Sequence, residues 1–376
     1  MQLTNNPKKP IHNSCVFFFF DEETETIDSS FSNSSFSNSS FSNSSFSNSS
    51  FSKRFVSLDF LGLNEISITN KIKVDLSDKW CNHYYLFKDI EYMKIGSLAK
   101  NAYHLDAIKE VKDDGTALVW HQARQLVYLD GYLRSLSCSR KYILFLTNFY
   151  RQLLVSIDLL VGCNIIHNNI GFKTIVIDVG SLEKPILTNF KFALDINRPD
   201  IGEYIKQLFI QYSPEYLEWP LEIHLLCYLL TNKLDSLSHN NIQFVVKNVI
   251  DNHAYLKTFG QKIVDEYKEE GLTYFSKYIN KNVSWIITDI LSHSKTWDNY
   301  ALSICYLKIV IDIYNASKSG NDKSKSKFLI MFLKLLVTNI HSNPFKRPSV
   351  KHTTNKFEKL MEECDINDLY LLVCRL

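Results

Sequence analysis

Residues 165–177 read IIHNNIGFKTIVI: an apolar pair, a polar loop opened by His167, and a short apolar strand. Upstream, apolar residues recur three or four positions apart, which predicts a helix with one buried face that ends near Gly162. These residues are Ile143, Leu146, Tyr150, Leu153, Ile157 and Leu160. Downstream, Ile175–Val179 and Pro185–Leu187 are short apolar runs between turn residues, which predicts two strands.

Further motifs follow this loop in a fixed order along the chain. Asn189-Phe190-Lys191 comes after the second predicted strand, and Ser213-Pro214-Glu215 comes next. Asp298-Asn299-Tyr300-Ala301-Leu302-Ser303 opens a helical pattern, and Asn343-Pro344-Phe345-Lys346-Arg347-Pro348-Ser349 lies near the end. Together with the loop, these motifs resemble the eukaryotic-type protein kinases: the H-R-D-x-K-x-x-N catalytic loop, D-F-G, A-P-E, the start of the central buried helix, and the late loop whose Arg pairs with the A-P-E Glu.

The resemblance covers residues 137–376 well and residues 53–136 poorly. It implies an α+β, bilobal protein-kinase-like fold, with a small degenerate β-containing N-lobe at 53–136 and a large, mainly helical C-lobe at 137–376. Within the C-lobe, residues 216–296 are similar to the expanded helical segment of kinase-like proteins in large DNA viruses. Residues 1–52 hold four SSFSN units followed by SSFS, and this composition predicts a disordered N-terminal region.

Chemistry-bearing positions of the kinase motifs are replaced in this chain. By the resemblance, Asn169 stands at the catalytic base and Asn189 at the principal metal ligand, and both are amides. Thr174 stands at the second metal ligand, Gly171 at the catalytic-loop Lys, and Lys191 at the D-F-G glycine. An amide cannot accept a proton at neutral pH, and loss of general-base catalysis typically costs about 10²–10⁴-fold in rate. These degenerate positions predict a pseudokinase.

The nucleotide-binding motifs of a kinase are also missing. Gly62 is the only glycine between residues 1 and 95, so no Gly-rich phosphate loop precedes the helix that contains Glu65. Glu65 stands where the resemblance places the helix Glu, but Lys53 is too close to it to be the partner lysine, and no V-A-I-K match occurs. No cofactor is therefore expected, and ATP with Mg²⁺ only if the protein is an active kinase.

Residues that keep the fold together in kinases are present. By the resemblance, His167 and Phe190 pack beneath the loop, and Asp298 accepts backbone N–H bonds from it. Glu215 and Arg347 are expected to form a buried ion pair. The retention of these residues beside the altered chemical positions favours a catalytically inactive, kinase-like binding or regulatory module.

Composition limits the other classes of function. The net charge is +2, so no specific nucleic-acid signal is present, and no apolar run reaches the length of a membrane span. Eight cysteines without a CxxC pair predict reduced thiols and an intracellular location, which for a viral protein means host cytoplasm or virion. A protein partner is expected but its identity is unknown, and residues 216–296 are the candidate surface.

Two alternatives remain open at the level of sequence. The first is a divergent active Ser/Thr-type kinase with a rearranged site, in which Asp178 or Asp195 replaces the missing carboxylates. The second is a helical interaction protein unrelated to kinases, in which the motif matches arise by chance.

Overall fold

The computed structural model describes residues 51–93, 115–136, 139–180, 183–318 and 326–365. All of them belong to one compact unit, Ser49–Leu376. The predicted disordered region, 1–52, lies outside the described residues except at its end. There the prediction is wrong, because Phe51 and Ser52 pair with Gln122 and His121 as the first residues of a strand.

The first part of the unit is a small antiparallel sheet packed on one helix. Its strands are β1 (Phe51–Ser57), β2 (Asp89–Met93) and β3 (Thr116–Gln122), in the order β1-β3-β2. Helix α1 (Phe60–Leu76) follows β1 directly and includes the predicted helical stretch from Glu65. Gly62 allows this tight connection, because a Cβ there would lie 1.7 Å from the Ser57 carbonyl oxygen.

A second antiparallel sheet joins this part to the helical remainder. It consists of β4 (Leu126–Tyr128), β6 (Ile175–Asp178) and β7 (Lys184–Leu187), in the order β4-β6-β7. The chain after α1 extends it, since the Tyr85 N–H donates to the Leu187 carbonyl at 2.8 Å and the Leu187 N–H donates to the His83 carbonyl at 2.9 Å. A two-stranded ribbon pairs β5 (Ile165–Ile166) with β8 (Leu194–Asp195).

The remaining regular elements of the described chain are helical. The helices are α2 (Leu129–Ser135), α3 (Ser139–Leu144), α4 (Tyr150–Gly162), α5 (Ile201–Leu208), α6 (Leu221–Thr231), α7 (His239–Asn252), α8 (Ala254–Lys257), α9 (Gln261–Phe275), α10 (Val283–Leu291), α11 (Trp297–Lys318), α12 (Lys327–Asn339) and α13 (Val350–Glu363). A π-helical turn, Phe145–Phe149, connects α3 to α4.

The apolar stripe predicted before Gly162 forms the centre of the main core. Tyr150 of α4 packs edge-on against Tyr306 of α11 and Phe332 of α12, with ring centroids 4.7 Å and 4.9 Å away. Within the described residues, the stretch Lys141–Gly162 is long and apolar enough to cross a membrane, yet 56% of its apolar window is buried inside the fold. This burial is typical of a core helix, and the described chain shows no clear membrane span.

The fold class is therefore mixed α+β, mainly helical, with small sheets. The strands predicted within 175–179 and 185–187 are confirmed as β6 and β7. Residues 216–296 are largely helical, as predicted, and contain α6 to α10.

Candidate functional site

The loop opened by His167 is held from below by one buried carboxylate. Asp298, at the start of α11, accepts the N–H of His167 at 2.7 Å and that of Asn168 at 2.8 Å. This is the contact predicted from the sequence. Asn168 has a left-handed backbone with φ of 59°, which turns both N–H groups toward the same carboxylate. Burial raises the pKa of Asp298 to about 7, although the two N–H donors act in the opposite direction.

His167 and Phe190 form the floor of the loop. The two rings lie 4.6 Å apart between centroids, and both side chains are buried. His167 Nε2 lies 3.0 Å from the Thr188 carbonyl oxygen, so this nitrogen carries the proton and donates. Burial lowers the pKa of His167 to about 4, which keeps the ring neutral. His167 thus joins the loop to the segment that leads to Asn189.

Asn169, which the resemblance places at the base position, is covered by a tyrosine. The Tyr216 hydroxyl donates to the side-chain oxygen of Asn169 at 2.8 Å. Burial raises the pKa of Tyr216 well above its ordinary value, so the hydroxyl remains a neutral donor. The Trp219 indole N–H donates to the Asn168 carbonyl at 2.9 Å and fixes the same segment against the loop. The sequence interpretation did not identify either aromatic residue.

Thr174 and Gly171 close the loop on itself. The Thr174 hydroxyl donates to the Asn169 carbonyl at 2.6 Å and accepts the Gly171 N–H at 2.8 Å. The hydroxyl that the resemblance places at the second metal position therefore serves the internal structure of the loop. Gly171 contributes no side chain at the position where the kinase motif has a lysine.

Asn189 and Lys191 lie on a segment that is tied to α1. Asn189 has a φ of 63°, and among the residues that the structure describes its buried side-chain oxygen has no hydrogen-bond partner. The Asn64 amide of α1 donates to the carbonyls of Lys191 and Ala193, both at 2.9 Å. In the described ranges no group of three or more His, Cys, Asp or Glu side chains is arranged to hold a metal ion.

Glu65 has an ionic partner that sequence analysis missed. Arg54 on β1 contacts the Glu65 carboxylate of α1 at 2.8 Å, with side chains that are 27% and 7% exposed. The sequence analysis sought a lysine as the partner of Glu65 and excluded Lys53, which lies too close to Glu65 along the chain. Arg54 and the buried Val56 are two residues apart on β1 and therefore lie on the same face of the strand. Because the β1–α1 connection is short, this face lies close to α1, and that was the available signal for the contact between Arg54 and Glu65.

The expected ion pair between Glu215 and Arg347 is wrong. Arg347 pairs with Glu222, and both side chains are completely buried. Glu215 is exposed, whereas Glu222 lies in the first turn of α6, where it also accepts the Trp297 indole N–H at 3.0 Å. The motif that supplies the buried acid is therefore Trp219-Pro220-Leu221-Glu222, because the helix start that follows Pro220 directs its glutamate inward.

The two aspartates considered as replacement catalytic groups have cationic neighbours. Asp178, at the end of β6, lies 3.6 Å from Arg124 and accepts the Gly180 N–H at 3.2 Å. Asp195, on β8, lies 3.6 Å from Lys71 of α1. Each carboxylate therefore forms an ion pair with a nearby cationic side chain.

Comparison with known proteins adds no relative. A scan of the sequence against protein-family models finds no match, and a search of curated proteins finds no significantly similar sequence.

Proposed function

We propose that this protein is a bilobal, kinase-like pseudokinase that acts as a binding or regulatory module. Residues 53–136 correspond to a degenerate small lobe and residues 137–376 to the large lobe. The observation that carries the proposal is the contact between Tyr216 and Asn169. The position of the catalytic base holds an amide, and that amide is already hydrogen-bonded to the hydroxyl of the half-buried Tyr216.

The skeleton around the loop supports the kinase-like part of the proposal. An ion pair between a strand lysine and a helix glutamate is a recurring element of kinase small lobes, and Arg54–Glu65 is a similar strand-to-helix pair with an arginine and a shorter connection. Asp298 bound to the loop backbone agrees with the role that the resemblance implies for it, whereas Arg347 pairs with Glu222 in place of Glu215. The Asp298 contact joins residues 131 positions apart in the sequence, at the place that the resemblance implies for it.

The inactive part of the proposal rests on charge and hydrogen bonding. Phosphoryl transfer depends on a carboxylate for the substrate hydroxyl and on ligands for Mg²⁺. Here Asn169 and Asn189 provide neutral amides, and the Thr174 hydroxyl donates a hydrogen bond within the loop. Loss of these groups removes both proton acceptance and the anionic cradle for metal. The protein is proposed to work in an intracellular setting through a protein partner.

The partner-binding surface is proposed to lie in residues 216–296. Two large apolar side chains of this segment are substantially exposed, Phe244 on α7 and Trp285 on α10, at 49% and 41%. Aromatic residues are enriched in protein–protein interfaces.

The test is transfer of radiolabelled γ-phosphate from ATP, with Mg²⁺, to generic protein acceptors and to the protein itself. We expect the wild type to match a heat-inactivated control. The double variant Asn169→Asp/Asn189→Asp, alone and with Tyr216→Phe to remove the covering hydroxyl, is expected to restore little, because the Gly-rich loop is also missing. Thermal unfolding with and without ATP and Mg²⁺ measures nucleotide binding separately.

Transfer by the wild type above the control would refute the proposal in favour of an active kinase. In that case Asp178→Asn and Asp195→Asn would identify the replacement carboxylate by loss of activity.

A further inference from the structure

A small cavity of about 180 Å³ lies between the chain that follows α1 and the adjoining ends of β1 and β3. Its walls combine aromatic rings with positive charge. They are formed by Phe51, Trp80, Cys81, Tyr84, Tyr85, Leu86, Lys88, Gln122 and Arg124. None of these residues belongs to the loop around Asn169 or to the segment around Asn189, so the cavity is separate from the candidate site.

The aromatic walls are held in place by contacts outside the cavity. The Tyr85 hydroxyl and the Ser52 hydroxyl lie 3.1 Å apart, and the Tyr85 ring stacks on His121 with centroids 4.7 Å apart. Phe51 is 40% exposed although it is the first residue of a paired strand. An apolar ring entering the cavity would therefore meet preformed aromatic surfaces.

Two cations border the same space, and no acidic residue lines it among the described residues. Lys88 is exposed, with its ammonium 5.1 Å from the centroid of the Phe51 ring. Arg124 donates to the Cys81 carbonyl at 2.9 Å, which fixes its guanidinium at the wall. Asp178 lies 3.6 Å from Arg124 and offsets part of that charge, whereas Lys88 is the cation closest to solvent.

We propose that this cavity is a binding site for a carboxylate that carries a single aromatic ring. The ring would fill the space between Phe51, Trp80 and Tyr85, and the carboxylate would lie toward Lys88. A cavity of about 150 Å³ suffices to hold one benzene ring, so the volume fits one ring and excludes large fused systems. The ligand is either a free aromatic acid or the C-terminal phenylalanine of a peptide. This inference does not depend on the proposed pseudokinase function.

The test is ligand-observed NMR with 3-phenylpropanoate on the full chain, with its neutral amide as the matched ligand. For a ligand this small we expect a Kd of about 1 mM for the acid. Loss of a charge-assisted contact in the amide, or in the variant Lys88→Met, is expected to weaken binding about tenfold. Lys79→Met removes an exposed lysine that does not line the cavity, and this control is expected to bind as the wild type does.

Several results would overturn the proposal. These are equal binding of acid and amide, an unchanged Kd in Lys88→Met, an equal loss in Lys79→Met, or no binding of the acid at millimolar concentration. A Trp80→Leu variant that binds as tightly as the wild type would also count against it. A tripeptide ending in a phenylalanine carboxylate, compared with its C-terminal amide, then identifies the source: tighter binding than the free acid indicates a peptide terminus, and weaker binding indicates a small molecule.

Discussion

The Arg347–Glu222 ion pair in the helical part of the molecule differs sharply from the Arg54–Glu65 pair beside the small sheet. The first has both side chains fully buried, with an indole N–H as an additional donor to the carboxylate. The second leaves Arg54 27% exposed. Removing the partner of a fully buried charge strongly destabilises the fold, whereas a partly hydrated charge tolerates the loss of its partner. The stability of the helical part is therefore expected to depend strongly on the Arg347–Glu222 pair, and that of the small sheet much less on the Arg54–Glu65 pair.

The largest effect is expected from breaking the buried pair. Glu222→Gln leaves the Arg347 guanidinium buried without a counter-charge, and we expect it to lower the free energy of unfolding by about 3–5 kcal/mol. Urea unfolding measures this loss. The matched control is Glu215→Gln at the exposed glutamate, which is expected to change stability by less than about 0.5 kcal/mol. A larger loss for Glu215→Gln than for Glu222→Gln would contradict the structure.

The second effect concerns the carboxylate beneath the loop. Asp298→Asn keeps the size of the side chain but provides one acceptor oxygen for two buried N–H groups, those of His167 and Asn168. We expect a loss of about 2–3 kcal/mol in urea unfolding. Asp312→Asn, at an exposed position on the same helix, is the control and should be nearly neutral. Equal stability of both variants would show that the loop does not depend on Asp298.

The third test uses pH to compare a buried group with an exposed one in the helical part. His253 is fully buried, its Nδ1 accepts the Leu256 N–H at 3.2 Å, and burial lowers its pKa from 6.5 to about 4. The unfolded chain therefore binds more protons between these values, so stability is present above pH 6.5 and is lost as pH falls toward 4. As the pH falls from 7 to 5, this histidine lowers the free energy of unfolding of the wild type by about 2 kcal/mol.

His253→Asn provides an oxygen near the place of Nδ1 and does not titrate. We expect its stability to fall by about 2 kcal/mol less than that of the wild type over the same pH range, in urea unfolding at several pH values. His239→Asn, the same change at the exposed start of α7, is the matched control. Parallel pH profiles for the wild type and His253→Asn would argue against a neutral buried ring.

The smallest effect is expected at the pair beside the small sheet. A double-mutant cycle with Arg54→Met and Glu65→Gln should give a coupling energy of about 1 kcal/mol or less, because Arg54 keeps part of its hydration. A coupling as large as the loss in Glu222→Gln would remove the distinction between the two parts of the molecule.

The sequence predicted local structure better than distant pairing. The stripe from Ile143 to Leu160 and the apolar runs at 175–179 and 185–187 identified a helix and two strands, because their periodicity is local. Asp298 was also anticipated through its motif. The assignment of Glu215 as the partner of Arg347 was wrong, because the partner is Glu222, two residues after Pro220, and only the packing of α6 against Arg347 reveals it.

The contacts of the candidate site that were missed share one property. Tyr216 with Asn169, Asn64 with the carbonyls of Lys191 and Ala193, and Arg54 with Glu65 all depend on how separate elements pack. Tyrosine, asparagine and arginine have many structural roles, so residue type alone does not reveal such a partner. The residues themselves were visible, but their pairing requires three-dimensional information.

The backbone bonds between His83, Tyr85 and Leu187 have a consequence for local opening. They join the chain after α1 to β7, which ends two residues before Asn189. Part of the small-sheet region and the segment that leads to Asn189 therefore share one hydrogen-bonded ladder. Protection against hydrogen exchange reports such cooperative units. The amides of Tyr85 and Leu187 are therefore expected to exchange at one common rate, and the segment carrying Asn189 is expected to open together with the chain after α1 as a single foldon.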